Sequence, residues 1–196
     1  MQLIIASNNP KKRLEIAAIL DGLGIEIVPA ESTRFVEVDE DGETFSDNAR
    51  KKAEAFAHAN HLPSLADDSG LSVTALDGAP GVHSARYAGD DATDASNNDK
   101  LLGALQGIDD RTARFVCALH LSYPDRIPAI TAEGSVEGHI LEHPDGRGGF
   151  GYDPLFFCPE LGKSFGHASP EEKAQVSHRG RALRQLAQRL GAQLGT

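Results

Sequence analysis

The sequence predicts an α/β fold with a mixed, twisted central sheet flanked by helices, and three observations carry that prediction. The first thirty residues read as strand, turn, helix, strand. Strand-like and helix-like segments then follow one another without strict alternation, and the chain closes on a long helix with a clean apolar stripe. With 196 residues, 40% of them apolar, the chain can bury a core of its own and is not disordered. No repeat, low-complexity tract or linker divides it, so a single domain over residues 1–196 is expected.

The opening strand is QLIIA, followed by the polar turn SNNP, a helix from about Pro10 to Asp21 and the strand IEIV, which together make a βαβ unit. Ile16, Ile19, Leu20 and Leu23 recur at helical spacing and give the helix one apolar face, and Pro10 suits its first turn, where a missing N–H costs nothing. A second helix is predicted from Thr44 or Ser46 to about Asn60, and a third from Asp94 to Leu105. Between them SLA and LSV read as strand-like segments, with Asp67, Asp68, Ser69 and Gly70 between them where a strand should end. ARFVCALHL at 113–121 and IPAITAEGSV at 127–136 read as neighbouring strands around a turn with Pro124 and Asp125, and LFFCP at 155–159 as a short strand. After SPEEK comes the last helix, from His178 to about Leu194, striped by Leu183, Leu186, Ala187, Leu190 and Leu194.

A formal net charge of −10 argues against polyanion binding over a broad face, while leaving room for a small anion met by a few lysines. No nucleic-acid or membrane partner is therefore expected. The apolar run from Leu3 to Ala6 is too short for a signal segment, and no apolar stretch reaches the roughly 18 residues of a membrane span. A soluble, cytoplasmic protein is the expectation. Cys117 and Cys158 lie far apart with no CxxC, which gives no support to a disulfide framework or a zinc site, and both read as core residues. His139 and His143, in a predicted strand, would sit ~13 Å apart, too far for a shared metal. His58 and His61 have no third ligand beside them and read as solvent-facing.

The stretch ADDSGLSVTALDGAPGVHSARYAG, residues 66–89, is the densest in possible chemistry. In a strand Asp67 and Asp68 point to opposite faces, so only one can enter a given cleft, and Gly70 lets the backbone come close to a ligand. SNNPKK, residues 7–12, leaves a strand and enters a helix; unpaired N–H groups, the helix dipole, Lys11 and Lys12 make it an anion site or, equally, a capped helix with surface lysines. It is not a Walker A loop. EVDEDGETF places Glu37, Asp39, Glu40 and Asp41 ahead of Gly42; one of them with Asp68 would suit Mg²⁺, which takes one or two carboxylates plus substrate phosphates, although most acidic runs are solvated loops. GRGGFGYDP, residues 146–154, frames Phe150, Tyr152 and Asp153 with glycines: either a wrap around a flat ligand, with a stacking ring worth about 1–3 kcal/mol per base, or a tight turn with both rings in the core. SHRGRAL puts His178 and Arg179 at a helix start, following Lys173, suited to an anion or a base carbonyl, or else to an ordinary surface helix.

Taken together and in order, the SNNPKK loop, ETFSDNA at 43–49, the 66–89 stretch, GGFGYDPLFF and KSFGHASPEEKAQVSHRGRAL resemble the non-standard purine nucleoside triphosphate pyrophosphatases, the inosine/xanthosine triphosphatases, over nearly the whole chain. The resemblance implies two lobes with an active-site cleft between them, Mg²⁺ as cofactor, a homodimer, and hydrolysis of ITP, dITP and XTP to monophosphate and pyrophosphate. It makes Asp68 the metal-associated general base with Ser69 beside it on the nucleotide, and Glu40 the second metal carboxylate. Ser7, Asn8, Asn9, Pro10, Lys11 and Lys12 become the phosphate loop, with Lys52 a further phosphate contact. Phe150, Gly151, Tyr152, Asp153, Lys173, His178 and Arg179 become the base and sugar pocket. Ser-Asn-Asn replaces the family's usual Thr-Gly-Asn, and Asp41 stands where threonine is common.

The chemistry is consistent with that implication. A triphosphate carries about four negative charges, and attack of water at its α-phosphorus needs them neutralised by metal and lysines, which an acidic protein must supply locally. Hypoxanthine and xanthine present an acceptor oxygen where adenine presents a donor, and donors built to meet it can discriminate by about 10⁴ to 10⁵. Two other classes are carried beside this one: a nucleotide-binding protein without turnover, and a hydrolase of modified pyrimidine triphosphates.

Overall fold

The computed structural model describes residues 1–21, 24–125 and 127–194, with side chains as far as Gly191; Leu23 and the Leu194 side chain, both counted in the apolar stripes above, lie outside the described residues. Among the described residues there are seven strands, β1 (Gln2–Ile5), β2 (Glu26–Ile27), β3 (Ser64–Val73), β4 (Thr112–Ser122), β5 (Ile130–Ile140), β6 (Phe156–Cys158) and β7 (Lys163–Ser164), and five α-helices, α1 (Pro10–Leu20), α2 (Phe45–Asn60), α3 (Asp94–Ala104), α4 (Pro170–Val176) and α5 (His178–Leu194). The strands pair in the order β2-β1-β3-β4-β5-β6-β7. Parallel pairs involving β1 and antiparallel pairs involving β6 make the sheet mixed, as the sequence predicts. Among the described residues no helix is long and apolar enough to cross a membrane.

The chain packs as two compact units, and their boundaries fall inside β3, β4 and β5 and at the start of α5. The first contains Met1–Asp68, Cys117–Gly134 and the chain from Arg179 onward. Here β1 is flanked in parallel by β2, with Leu3 opposite Ile27, and by β3, with Ile5 opposite Leu65. Strand alternation divides the apolar side chains between two clusters. Leu3, Ile5 and Leu65 meet Ile16 and Leu20 of α1 and Ala182, Leu183, Leu186 and Leu190 of α5. Ile4, Ala6 and Ala66 meet Ala53 and Phe56 of α2. Helix α1 begins where Asn9 caps it, its Oδ1 accepting from the Lys11 N–H at 2.9 Å and the Lys12 N–H at 3.2 Å. Helix α2 begins at a Thr44 cap and stops at His61, which takes a left-handed conformation at φ 54°.

The second unit contains Ser69–Val116 and Ser135–His178. Its core gathers Leu71, Val73, Leu101, Leu105, Phe115, Val136, Ile140, Tyr152, Leu155, Phe156 and Phe165. Helix α3 is started by a reciprocal capping box between Thr93 and Ser96, and α4 by one between Ser169 and Glu172. Cys117 in the first unit and Cys158 in the second are free and buried in their cores, as expected.

Two expectations need correction, and two further segments gain definition. Asp67 to Gly70 do not end a strand: β3 runs through them, because the carboxylates find cationic and amide partners inside the protein and need no turn to reach water. Strand β5 starts later and ends later than 127–136, at Ile130–Ile140, since Pro128 has no N–H for a ladder and the alternating buried positions begin at Ile130. SPEEK, to which the sequence assigns no element, opens α4, which Ser169 and Pro170 start in the manner of a standard cap. Of the two alternatives for SHRGRAL, the ordinary surface helix does not describe the start of α5, because both His178 and Arg179 are buried.

Candidate active site

The same alternation that sorts the apolar side chains in the first unit sorts the two aspartates. Asp67 follows Leu65 onto the face covered by α1 and α5, and Asp68 follows Ala66 onto the face covered by α2. Asp67 is buried, with Lys12 Nζ at 3.2 Å and the Arg179 Nη2 and Nε groups donating to its Oδ2 at 3.0 and 3.3 Å. The other arm of the buried Arg179 guanidinium pairs with Glu15. Asp68 instead accepts from Asn48 Nδ2 at 3.1 Å and lies 4.0 Å from Lys52 Nζ. Lys52 Nζ also donates to the Glu40 carboxylate and to the Asp67 backbone carbonyl, both at 2.9 Å.

These surroundings drive the two carboxyls apart. Burial alone would raise Asp67, but the charges of Lys12, Arg179 and Lys52 together with the Arg179 hydrogen bonds hold it well below the ordinary carboxylate range. For Asp68 burial wins, and the carboxyl stands above its ordinary value although Lys52, Lys12 and the Asn48 amide oppose the shift. Adjacent residues thus become a permanent anion and a proton acceptor nearer to neutrality, a division typical of paired carboxylates with different tasks. Cys117, in the same unit, is no nucleophile: burial, with Asp67 adding to it, pushes its thiol up to about 12.

Of the four carboxylates in the acidic loop, Glu40 is the one drawn into this cluster. Glu37, Asp39 and Asp41 are exposed, and Asp41 pairs with Lys51 in the solvated manner of a surface loop. Asn48 fixes the loop, its Oδ1 accepting from the Gly42 N–H at 2.8 Å while its amide holds Asp68. A side chain at Gly42 would collide with Asn48 and Asp47, which explains the glycine. Glu40 and Asp68 converge on one ammonium, Lys52 Nζ, so the donor set suits a cation bridging two carboxylates and completed by oxygen ligands from elsewhere, as Mg²⁺ prefers. Among the described residues no group of three or more His, Cys, Asp or Glu side chains could by itself hold a metal.

In the SNNPKK loop the capped-helix reading describes what is seen, since Asn9 occupies the N–H groups of Lys11 and Lys12 and Ser7 Oγ accepts from the Asn9 N–H at 3.3 Å. Asn8, Pro10 and Lys11 are exposed, and Lys12 is turned onto Asp67.

The second unit holds a separate cluster. Lys173 is buried, donates to Asp153 Oδ2 at 2.6 Å and lies 4.6 Å from the centre of the half-buried Phe150 ring. Gly149, at φ 72°, has no room for a side chain against the Asp153 carboxylate. His178 stacks on Phe115 at 4.8 Å with the rings 13° from parallel. Tyr152 belongs to the core, and its hydroxyl donates to the Ser84 carbonyl at 2.9 Å. Ser69 is half-buried in β3. Of the residues singled out from the sequence, the structure brings Glu40, Lys52 and Asp68 into one cluster and Phe150, Asp153 and Lys173 into another, whereas Arg179 is bound to Asp67 and Tyr152 to the core. The sequence reading gives no role to Asn48, Glu15 or Phe115. Asn48 stands four residues before Lys52 on one helix face, a usable signal; Glu15 and Phe115 meet partners far along the chain and left none.

Residues 3–189 match the model of the Ham1 family. The chain belongs to the Ham1 family. Its curated relatives include proteins named dITP/XTP pyrophosphatase. That of Syntrophobacter fumaroxidans is 54% identical over 185 residues, covering 94% of this chain and 79% of the relative. That of Geobacter sulfurreducens is 50% identical over 195 residues, covering 98% of each. Among solved structures, a Ham1 protein from Coxiella burnetii superimposes with a TM-score of 0.89 at 40% identity, covering 98% of this chain and 99% of that one. The α/β class and the mixed sheet of this Ham1 chain are those of its structural relatives.

Proposed function

We propose that this Ham1 chain hydrolyses ITP, dITP and XTP to the monophosphate and pyrophosphate, removing non-standard purines from the nucleotide pool. Family membership supports the reaction class, and one observation carries the assignment of roles: Asp68, with its raised carboxyl, shares Lys52 with Glu40 while Asp67 beside it is locked in an ion pair. Water attacks the α-phosphorus, the bond from the α-phosphorus to the oxygen bridging it to the β-phosphate breaks, and pyrophosphate departs with that oxygen as Asp68 takes the proton of the water. Glu40 and Asp68 would hold Mg²⁺, which when bound neutralises phosphate charge and makes the departing pyrophosphate a better leaving group. Lys52, and the 7–12 loop through Lys11 and Lys12, meet phosphate charge. Ser69 lies next to Asp68 in the chain and contacts the nucleotide.

For the base, the Phe150 ring offers a stacking surface, and the donors of Lys173 and His178 suit the acceptor oxygen of hypoxanthine or xanthine. Gly151 shapes the loop, Asp153 holds Lys173, and Tyr152 and Arg179 act through the core and through Asp67. We place the enzyme in the cytoplasm as a homodimer.

The test is pyrophosphate release from inosine, xanthosine, guanosine and adenosine triphosphates, with Mg²⁺ and with chelator. Metal-dependent release from the first two alone is expected. Binding of inosine triphosphate with no release would instead favour a binding protein, a reading to which the Asn9-capped phosphate loop lends weight.

A further inference from the structure

The Phe150–Gly151 segment belongs to a glycine-rich loop, yet its backbone is held at every polar atom. The Phe150 N–H donates to Asp153 Oδ2 at 2.8 Å, and the Phe150 carbonyl accepts from the Asp153 N–H at 3.2 Å. The Gly151 N–H donates to Asp94 Oδ2 at 2.8 Å, and the Gly151 carbonyl accepts from Asn98 Nδ2 at 3.1 Å. The last two partners stand four residues apart on α3, so one helix face presents an acceptor and a donor to a single residue. That residue has φ 59°, and a Cβ there would meet nothing within 4 Å. Glycine is therefore required by the conformation and not by lack of space. Loops with such freedom ordinarily lose it when a ligand binds, and affinity falls accordingly.

We propose that Asp94 and Asn98 are positioning residues that clamp Gly151 and so hold the neighbouring Phe150 ring, over Lys173, as a preformed platform for the nucleobase. The inference rests on the base-stacking role given to Phe150 above. The clamp touches no phosphate, so it acts on base recognition and leaves the hydrolytic step alone. Asp94 needs only an acceptor oxygen, which asparagine also has; Asn98 needs a donor, which aspartate lacks.

The experiment compares Asp94→Ala, Asp94→Asn, Asn98→Ala and Asn98→Asp. Losing one such hydrogen bond raises KM for inosine triphosphate by roughly three- to tenfold, with kcat and the inhibition constant of inorganic triphosphate held within about twofold. Asp94→Asn restores KM, whereas Asn98→Asp is at least as poor as Asn98→Ala. Hydrogen exchange at the Gly151 amide reads the clamp without any turnover, and Asp94→Ala accelerates it while Asp94→Asn does not. An unchanged KM, a loss confined to kcat, or an Asp94→Asn variant as impaired as Asp94→Ala overturns the proposal. If the unaltered protein releases no pyrophosphate, the proposed reaction is wrong; an exchange rate at Gly151 that ignores all four substitutions shows the clamp itself to be wrong.

Discussion

Replacing Arg179 with methionine separates an anchoring role from a substrate-binding one. The guanidinium is 1% exposed and gives two hydrogen bonds to Asp67 Oδ2 and a third to Glu15. Methionine fills much of the volume but leaves Asp67, equally buried, without the guanidinium, with Lys12 still at 3.2 Å. Breaking a buried pair from one side costs about 3–5 kcal/mol, while Glu15, partly exposed, regains water and adds little. At about 2.1 cal/mol/K per residue, 196 residues unfold with an entropy near 0.4 kcal/mol/K, so Tm should fall by about 7–12 °C. Adding Asp67→Asn removes the stranded charge and should recover about half of the loss. The pH dependence has a definite sign. Asp67 is depressed in the folded protein, so its contribution is fully present above the unfolded value near 3.8 and is lost as pH falls through the lower folded value. Without Arg179 its burial is less well opposed, the folded value climbs, and the acid loss begins at higher pH. Thermal melts and urea unfolding between pH 7 and pH 3 on the unaltered protein and the two variants measure all of this. A Tm drop below about 2 °C combined with a raised KM for inosine triphosphate would show that Arg179 faces substrate, and the anchoring account would be wrong.

Asp68→Asn should abolish pyrophosphate release without lowering stability, and at pH 7 should raise it by up to about 1 kcal/mol. The sign follows because the folded carboxyl lies above its unfolded value, so its ionisation opposes folding as pH rises through the folded value, and an amide removes that cost while still accepting from Asn48. Urea midpoints at pH 7 and 4.5 check it, and a clear destabilisation at pH 7 would contradict the raised carboxyl. Asn48→Ala should cost about 1–2 kcal/mol, since it deprives both Gly42 and Asp68 of a partner, and should lower kcat/KM by loosening the Glu40 loop; Asn48→Asp should be worse, with a carboxylate facing Asp68. Melting temperature and initial rates on the same preparations report both effects, and an Asp variant as active as Ala would refute the contact.

Much of the fold was legible because its signals are local. The βαβ opening, the Thr44 start of α2, the span of α3 and the stripe on α5 all follow from periodicity and capping within a few residues. The errors arose where a distant partner overrode local chemistry. Two aspartates and a serine look like a strand end until Lys12, Asn48, Lys52 and Arg179, from three different helices, are brought to them. Strand β7 is two residues long and exists by pairing with β6, so no pattern of its own could announce it. For His178 and Arg179 the sequence leaves a ligand site and an ordinary surface helix both open, because polar character is visible in a sequence and burial by Phe115 and Asp67 is not.

The site shows the same division at the scale of two neighbouring residues. Side-chain alternation says that Asp67 and Asp68 separate, but it does not say which becomes the anchor. That is decided by what each face carries: α1 and α5 bring Lys12 and Arg179 to one, while α2 brings an amide and a lysine already engaged by Glu40 to the other. Full compensation makes Asp67 a permanent anion with no affinity for a proton at neutral pH. Partial compensation leaves Asp68 more basic than an ordinary carboxylate. In a loop both side chains could turn to water and would titrate alike. A strand that runs through them forbids this, so the continuation of β3 across Asp67 and Asp68 is what makes them chemically different.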